Sequence, residues 1–384
     1  MSFISEKSKK IPGSMIREMF AMQDGMTDVI SFALGEPDFT APQHVIDATV
    51  ASLQRGETHY TPNAGIPALR QAVSDLYKRR SLDYTSKEVL IGAGAISLLN
   101  LACTAMLDIG DEVLVPDPGW ANYVGLMMQV GAVPVPVRMK EENGFMYDVA
   151  DLKAALTPKT KMILLNSPSN PTGGVASEEN LRQVAEFAKE NDLYILADEI
   201  YRELLWDDEP YTSIAGFPGM KERTVVVDGF SKTYAMTGMR LAWAVAPEEV
   251  IVVMTKLLEN VLSSVNEGVQ WGGVAALNGS QECVEEMKRQ YLRRREIIVN
   301  GLNDMKGVSC VMPKGAFYAF PNISKLGLSS REFAMRLLKE KHVVVVPGTG
   351  FGEGGEGFVR LAYATSEENI REGLRRMKEF VESL

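Results

Sequence analysis

The sequence predicts an α/β fold: a mostly parallel, mixed sheet sandwiched by helices, with a smaller α+β domain attached. Three observations carry this expectation. Short apolar runs alternate with helix-periodic stretches between about residues 87 and 245, the rhythm changes after about residue 280, and no repeat, low-complexity tract or flexible linker interrupts the chain. Strands separated by helices are joined by crossovers, which bring them side by side in parallel and cover both faces of the sheet. A length of 384 residues is a soft prior for two or three domains.

In chain order, Lys87 to Ile91 reads as a strand, and Ile96 through Met106 follows at helical spacing. Asp111 to Val115 is the next strand, ended by Pro116 and Pro118. Lys161 to Leu165, Leu193 to Ala197, Thr224 to Val227 and Leu241 to Val245 are the remaining strands of this region. Between two of them Ser177 caps a helix that places Leu181, Val184, Ala185 and Ala188 on one face. The last third is mixed in order. A charged helix from about Gln281 to Asn303 precedes strands at Val308 to Met312, Ala316 to Phe320, Val343 to Val346 and Phe358 to Ala362, with helices from Ser330 to Lys341 and from Glu367. The expected division is a large domain at 41–280 and a small domain built from 1–40 and 281–384.

Composition narrows the function. The chain is 46% hydrophobic and 23% charged, with 33 Gly and 18 Pro, ordinary globular usage that excludes disordered, collagenous and disulfide-scaffold classes. Forty basic against fifty acidic residues give a net charge of −10, which argues against a broad nucleic-acid surface. Arg293-Arg294-Arg295, with Glu285, Glu286 and Glu296 nearby, reads as a solvated helix face. Cys103, Cys283 and Cys310 are too few and scattered for a zinc site or disulfide framework, and His44, His59 and His342 are equally dispersed, so no metal is expected. Lys7, Lys9 and Lys10 are not followed by an apolar core, so no signal peptide is expected, and no apolar run approaches a membrane span. A cytoplasmic protein is the expectation.

Open parallel sheets place ligands beyond the carboxyl ends of their strands. Those positions hold Gly92-Ala93-Gly94-Ala95, Trp120, Asn166 to Gly173, Asp198, and Ser231-Lys232. Gly92-x-Gly94 opening a helix suits an anion, because free N–H groups and the helix dipole converge there. As a dinucleotide fingerprint it fails at Ser97, although Asp117 stands at a plausible distance for a ribose-binding acid. Gly350-x-Gly352-x-x-Gly355 runs into a strand rather than a helix and reads as a flexible loop. A lysine such as Lys232 is usually solvated, but beyond a buried strand its amine is desolvated, loses basicity and becomes a Schiff-base nucleophile. Asp198, after Leu193 to Ala197, is costly to bury unless a cation pairs with it, and a pyridinium nitrogen would serve. Arg360 inside Phe358 to Ala362 likewise demands an anionic partner. Trp120 on its own reads as an ordinary core aromatic, and Tyr60 beside Pro62 reads equally well as a loop anchor.

Ordered motifs then span nearly the whole chain: Leu34-Gly35-Glu36-Pro37-Asp38-Phe39, Tyr60-Thr61-Pro62, Ser169-Asn170-Pro171-Thr172-Gly173, Asp198-Glu199-Ile200-Tyr201, Phe230-Ser231-Lys232-Thr233, Thr237-Gly238-Met239-Arg240 and Val359-Arg360-Leu361. With these the chain resembles the class I/II aminotransferases, pyridoxal-phosphate enzymes of fold type I, most closely the aspartate/aromatic subgroup. The resemblance implies pyridoxal 5'-phosphate as cofactor, with Lys232 as the Schiff-base lysine and proton shuttle and Asp198 on the pyridine nitrogen. It further implies Tyr201 and Asn170 on the ring hydroxyl oxygen and Trp120 stacked on the ring. Ser231, Arg240 and the N–H groups of Ala93, Gly94 and Ala95 would bind phosphate, with Tyr60 reaching it from the partner subunit of a homodimer. Arg360 would clamp the substrate carboxylate with help from Asn170, Trp120 and the Gly35 backbone. Where many relatives carry a polar or charged side chain in the phosphate turn, this chain has Gly92-Ala93-Gly94-Ala95-Ile96, leaving backbone donors only. The reaction implied is exchange of an amino group between an L-amino acid (aspartate, aromatic or other) and a 2-oxo acid such as 2-oxoglutarate. A pyridoxal-phosphate lyase of the cysteine-S-conjugate β-lyase type is the alternative within the fold. A nicotinamide dehydrogenase and a non-catalytic cofactor-binding regulator are the alternatives outside it.

Overall fold

The computed structural model describes residues 3–384. A short strand, β1 (Ile30–Ser31), lies near the N-terminus. Seven strands form the large sheet: β2 (Val89–Gly92), β3 (Glu112–Asp117), β4 (Val133–Arg138), β5 (Thr160–Asn166), β6 (Tyr194–Asp198), β7 (Thr224–Gly229) and β8 (Ala242–Val245). Their order across the sheet is β2-β8-β7-β6-β5-β3-β4. Only β8 is reversed, pairing antiparallel with both neighbours, so the carboxyl ends of β2, β3, β5, β6 and β7 share one edge.

Side-chain alternation sorts these strands onto two cores. Val89, Ile91, Leu114, Ile163, Ile195, Val226 and Trp243 belong to one, and Leu90, Val113, Leu164, Leu196, Val225 and Ala244 to the other. Helices cover both faces: Pro67–Arg79 and Glu178–Glu190 contribute Leu69, Val73, Leu181 and Val184 to the first core, while Ala95–Met106 and Glu248–Val261 contribute Leu98, Leu99, Ile251 and Met254 to the second. This is the expected mixed, mostly parallel sheet between helical layers.

The sheet departs from expectation at its edge. β4 (Val-Pro-Val-Pro-Val-Arg) is a strand that the sequence reading lacked, and it pairs only with β3. Prolines 134 and 136 are tolerated there because an edge strand has one side with no ladder to satisfy. Pro116 does not end β3 either. β3 pairs with β5 only from Glu112 to Leu114, so Pro116 lies where the one remaining neighbour is β4.

The last third forms β9 (Tyr318–Ala319), β10 (Val343–Val344), β11 (Val346–Pro347) and β12 (Val359–Ala362). Val308 to Met312 is no strand: it makes one bridge, Ser309 to Asn322, and Cys310 N–H donates to Asn303 Oδ1 at 2.8 Å. Val343 to Val346 divides between two sheets, β10 running parallel to β1 and β11 antiparallel to β12. The chain ends thus meet in one body, across which the helix Glu282–Asn303 packs on the C-terminal helix Glu367–Glu382. On the first of these helices Arg293 is exposed, whereas Arg294 and Arg295 are buried, bonded to Asp38 and Asp207 at 2.7 Å. The expected solvated face is therefore buried at two of three positions, where Arg294 and Arg295 reach out to acids at the surface.

Candidate active site

The shared carboxyl edge of the large sheet opens into a cavity of about 520 Å3, within the range of small-molecule sites. Asn166 and Asp198 end β5 and β6 in register with each other. β7 ends at Gly229, and the single helical turn Phe230–Thr233 then carries Ser231 and Lys232 into the cavity wall. Gly35, Ala95, Trp120, Asn170, Tyr201, Arg240 and Arg360 line the same space.

Asp198 is 3% exposed. Its Oδ2 accepts from the Tyr123 hydroxyl at 2.7 Å and its Oδ1 from Ile200 N–H at 3.2 Å. Burial pushes the carboxyl up to about 6, against the pull of those hydrogen bonds and of Lys232. A cation placed against it would restore the anion. Tyr123 also packs edge-on against Trp120, with ring centroids 5.2 Å apart.

The Lys232 amine faces the cavity and donates to Gly35 O at 2.6 Å. Desolvation by the surrounding protein lowers it to about 8, with Glu36 opposing and Arg360 and Arg240 reinforcing the shift. A lysine so placed holds a far larger neutral fraction near physiological pH than a solvated one, and neutral is the form a nucleophile needs.

Arg360 is 1% exposed on β12. Nη1 donates to Asn170 Oδ1 at 3.2 Å, Nη2 to Ala33 O, and Nε has no partner among the described residues. No carboxylate bonds it among the described residues, and burial lowers its pKa. A buried guanidinium with an open donor is a site for an anion from outside the chain.

Tyr201 is buried, its hydroxyl 2.6 Å from that of Tyr318. Ser231 is buried beside Lys232, and Arg240, at a left-handed φ of 54°, donates to Thr237 O at 2.8 Å. A Cβ at Gly94 (φ 83°) would collide with the Arg240 guanidinium, so glycine lets the helix start approach the arginine closely. Helix Ala95–Met106 begins there, aiming its first N–H groups and positive dipole end at the cavity. The Gly94 N–H is already bonded to Gly92 O at 2.9 Å, and Ala95 and Ile96 line the cavity where Ala93 and Gly94 do not. A guanidinium, a helix start and a buried serine suit a phosphate dianion. With the amine and the carboxylate, the residues fit pyridoxal phosphate.

Tyr60 stands apart, 87% exposed and lining a separate cavity with Trp271. Asp117 is no ribose ligand: its Oδ1 accepts from Gly354 N–H at 2.8 Å. The glycine loop 350–355, expected to be flexible, is packed against it, with Phe351 buried. Sequence reading also missed Tyr123, Tyr318, Ser14, Ile16 and Arg17, all lining the cavity. β9 and β12 pair Tyr318 with Ala362, which puts Tyr318 on the face of Arg360; only the strand pairing supplies that signal.

Fold and site together define a pyridoxal-phosphate enzyme of fold type I. The chain belongs to the aminotransferase class I and II family, which it matches over residues 27–377. It is 43% identical to an aspartate aminotransferase of Pyrococcus horikoshii, over 99% of this chain and 97% of the relative. It is 40% identical to aromatic-amino-acid aminotransferase 2 of Thermococcus litoralis, over 98% and 97%. The structure of Thermus thermophilus aspartate aminotransferase with maleate superposes with a TM-score of 0.94 at 37% identity, covering 100% of both chains. The protein is a pyridoxal-phosphate-dependent transaminase, and the lyase reading is not favoured.

Proposed function

We propose that the protein transfers the amino group of aspartate or an aromatic L-amino acid to 2-oxoglutarate, with Lys232, Asp198 and Arg360 as the central residues. The observation that carries this is the meeting, in one cavity, of a weakly basic buried amine, a buried carboxyl and a buried guanidinium with an open donor. The names of the relatives support the two donor classes.

When bound, pyridoxal phosphate supplies an electron sink for the charge left at the substrate α-carbon. Asp198, held by Tyr123 and Ile200, would keep a negative charge at the ring nitrogen. Tyr201 and Asn170 would donate to the cofactor's ring oxygen, and Trp120 would pack on the cofactor. Ser231, Arg240 and the turn Ala93-Gly94-Ala95 would hold phosphate, Ala95 with the most direct access. Arg360 grips the α-carboxylate through two parallel N–H bonds, assisted by Asn170 and the Gly35 segment. That grip fixes the α-carbon beside Lys232, and orienting reactants in this way lowers a barrier by several kcal/mol. The Lys232 amine, freed from Gly35 O, would take the α-proton at Nζ and hold it for delivery to a different atom from the α-carbon it left.

The site is completed by a second copy of the chain, with Tyr60 reaching the partner's phosphate. Tyr60 is bare, and the loop beside it is tied to Ser264 and Val265 by Thr61 at 3.3 and 3.4 Å, next to exposed Val261 and Leu262. Trp271 in the same region has a buried Nε1 with no partner among the described residues. Residues 41–280 form the large domain and 1–40 with 281–384 the small one, as the β1–β10 pairing of the chain ends supports. A cytoplasmic location fits three unpaired cysteines, and among the described residues no helix is long and apolar enough to cross a membrane.

A panel of amino donors tests the reading. Turnover with aspartate, tyrosine or phenylalanine should require 2-oxoglutarate, leaving glutamate. Release of pyruvate and ammonia without a 2-oxo acid would overturn it in favour of elimination.

A further inference from the structure

We propose that Tyr318 is a positioning residue: its hydroxyl fixes that of Tyr201 and its ring fixes the guanidinium of Arg360, so one side chain sets both ends of the site. The inference rests on the roles of Tyr201 and Arg360 given above.

Tyr318 is 1% exposed and faces the cavity. Its hydroxyl stands 2.6 Å from that of Tyr201, and the two rings meet edge-on at 5.7 Å and 79°. The Arg360 Cζ lies 4.7 Å from the Tyr318 ring centroid, within cation–π range. At Gly35, a Cβ would collide with the Tyr318 hydroxyl, so the absence of a side chain there gives the phenol its place.

A tyrosine has one proton to donate. When Tyr201 gives its proton to an anionic oxygen in the cavity, the role left to Tyr318 is donor to Tyr201 Oη. Accepting that bond polarises the Tyr201 O–H and strengthens its own donation. On the other side, Arg360 has no carboxylate among the described residues to orient it, and its contacts are Asn170, Ala33 and aromatic faces. The Tyr318 ring therefore helps set the guanidinium plane before substrate arrives. The ring and the hydroxyl act on different partners, so they are separable by substitution.

The test uses the holoenzyme with Tyr318→Phe, Tyr318→Leu and Tyr201→Phe, reading the pH midpoint of the bound cofactor's visible absorbance together with KM and kcat. Loss of the Tyr201 donor should raise the midpoint, since it stabilises the deprotonated form. Tyr318→Phe should raise it in the same direction by roughly half to one pH unit, the scale of one hydrogen bond, with KM little changed. Tyr318→Leu should add a rise in KM of about three- to thirtyfold through the lost cation–π contact. Thermal melting checks that each variant is folded, and the isosteric Phe variant carries the test if Leu is not. A midpoint that moves in Tyr201→Phe but not in Tyr318→Phe overturns the proposal and leaves Tyr201 in place. A midpoint unmoved in both removes Tyr201 as well. An unchanged KM in folded Tyr318→Leu overturns the Arg360 half.

Discussion

The Lys232 amine sits in an environment that opposes its charge, and this conflict has a measurable sign. Its folded-state pKa of about 8 lies below the ordinary 10.5, so between these values the unfolded chain binds more protons than the folded one. Stability of the cofactor-free protein from this group therefore rises with pH across that window, and below pH 8 the whole penalty is present. Lys232→Met removes it. The variant should exceed wild type in melting temperature most below pH 8, by the equivalent of at most about 3 kcal/mol, and the advantage should vanish near pH 10.5. A difference independent of pH would contradict the burial argument. Lys232, Asp198 and Arg360 were legible because ionisable groups on or just past buried strands demand partners. Tyr123 and Tyr318 were not, because a tyrosine among core residues looks the same whether its hydroxyl is used or not. Arg294 and Arg295 were misread because nearby glutamates suggested solvent, while their actual partners, Asp38 and Asp207, lie far off along the chain.

At the scale of elements, the turn bearing Lys232 is anchored from behind. Asp228, near the end of β7, accepts from Gly229 N–H at 2.6 Å and from Arg80 at 3.0 Å, and Arg80 also bonds Glu203 at 2.5 Å. Asp228 and Arg80 are buried together, so removing one leaves the other uncompensated. Arg80→Ala should cost about 3–5 kcal/mol in denaturant unfolding. A loss below about 1 kcal/mol would mean that water replaces the arginine at no cost. The central strands were readable from apolar runs alone. β4 was hidden by prolines, which argue against a strand until its edge position is known. Val343 to Val346 read as one element because nothing local marks where β10 leaves one pairing and β11 enters another.

For the whole molecule, the proposed dimer makes each site depend on two chains. Tyr60→Ala and Lys232→Ala proteins should each have little activity, yet mixing them with subunit exchange should restore it. In a mixed dimer one site has the wild-type Lys232 of one chain and the wild-type Tyr60 of the other, so about a quarter of all sites recover. No recovery, with exchange verified, would place Tyr60 outside the partner's site. The change in strand rhythm near residue 280, on which the proposed two-domain division rests, was legible in the sequence, whereas the joining of chain ends through β1 and β10 needed tertiary pairing.

The most direct measurement is borohydride reduction of the cofactor-loaded protein followed by peptide mass analysis. The account predicts a reduced pyridoxyl-phosphate adduct on Nζ of Lys232 and bleaching of the visible absorbance. No adduct, or one confined to another lysine, would contradict it.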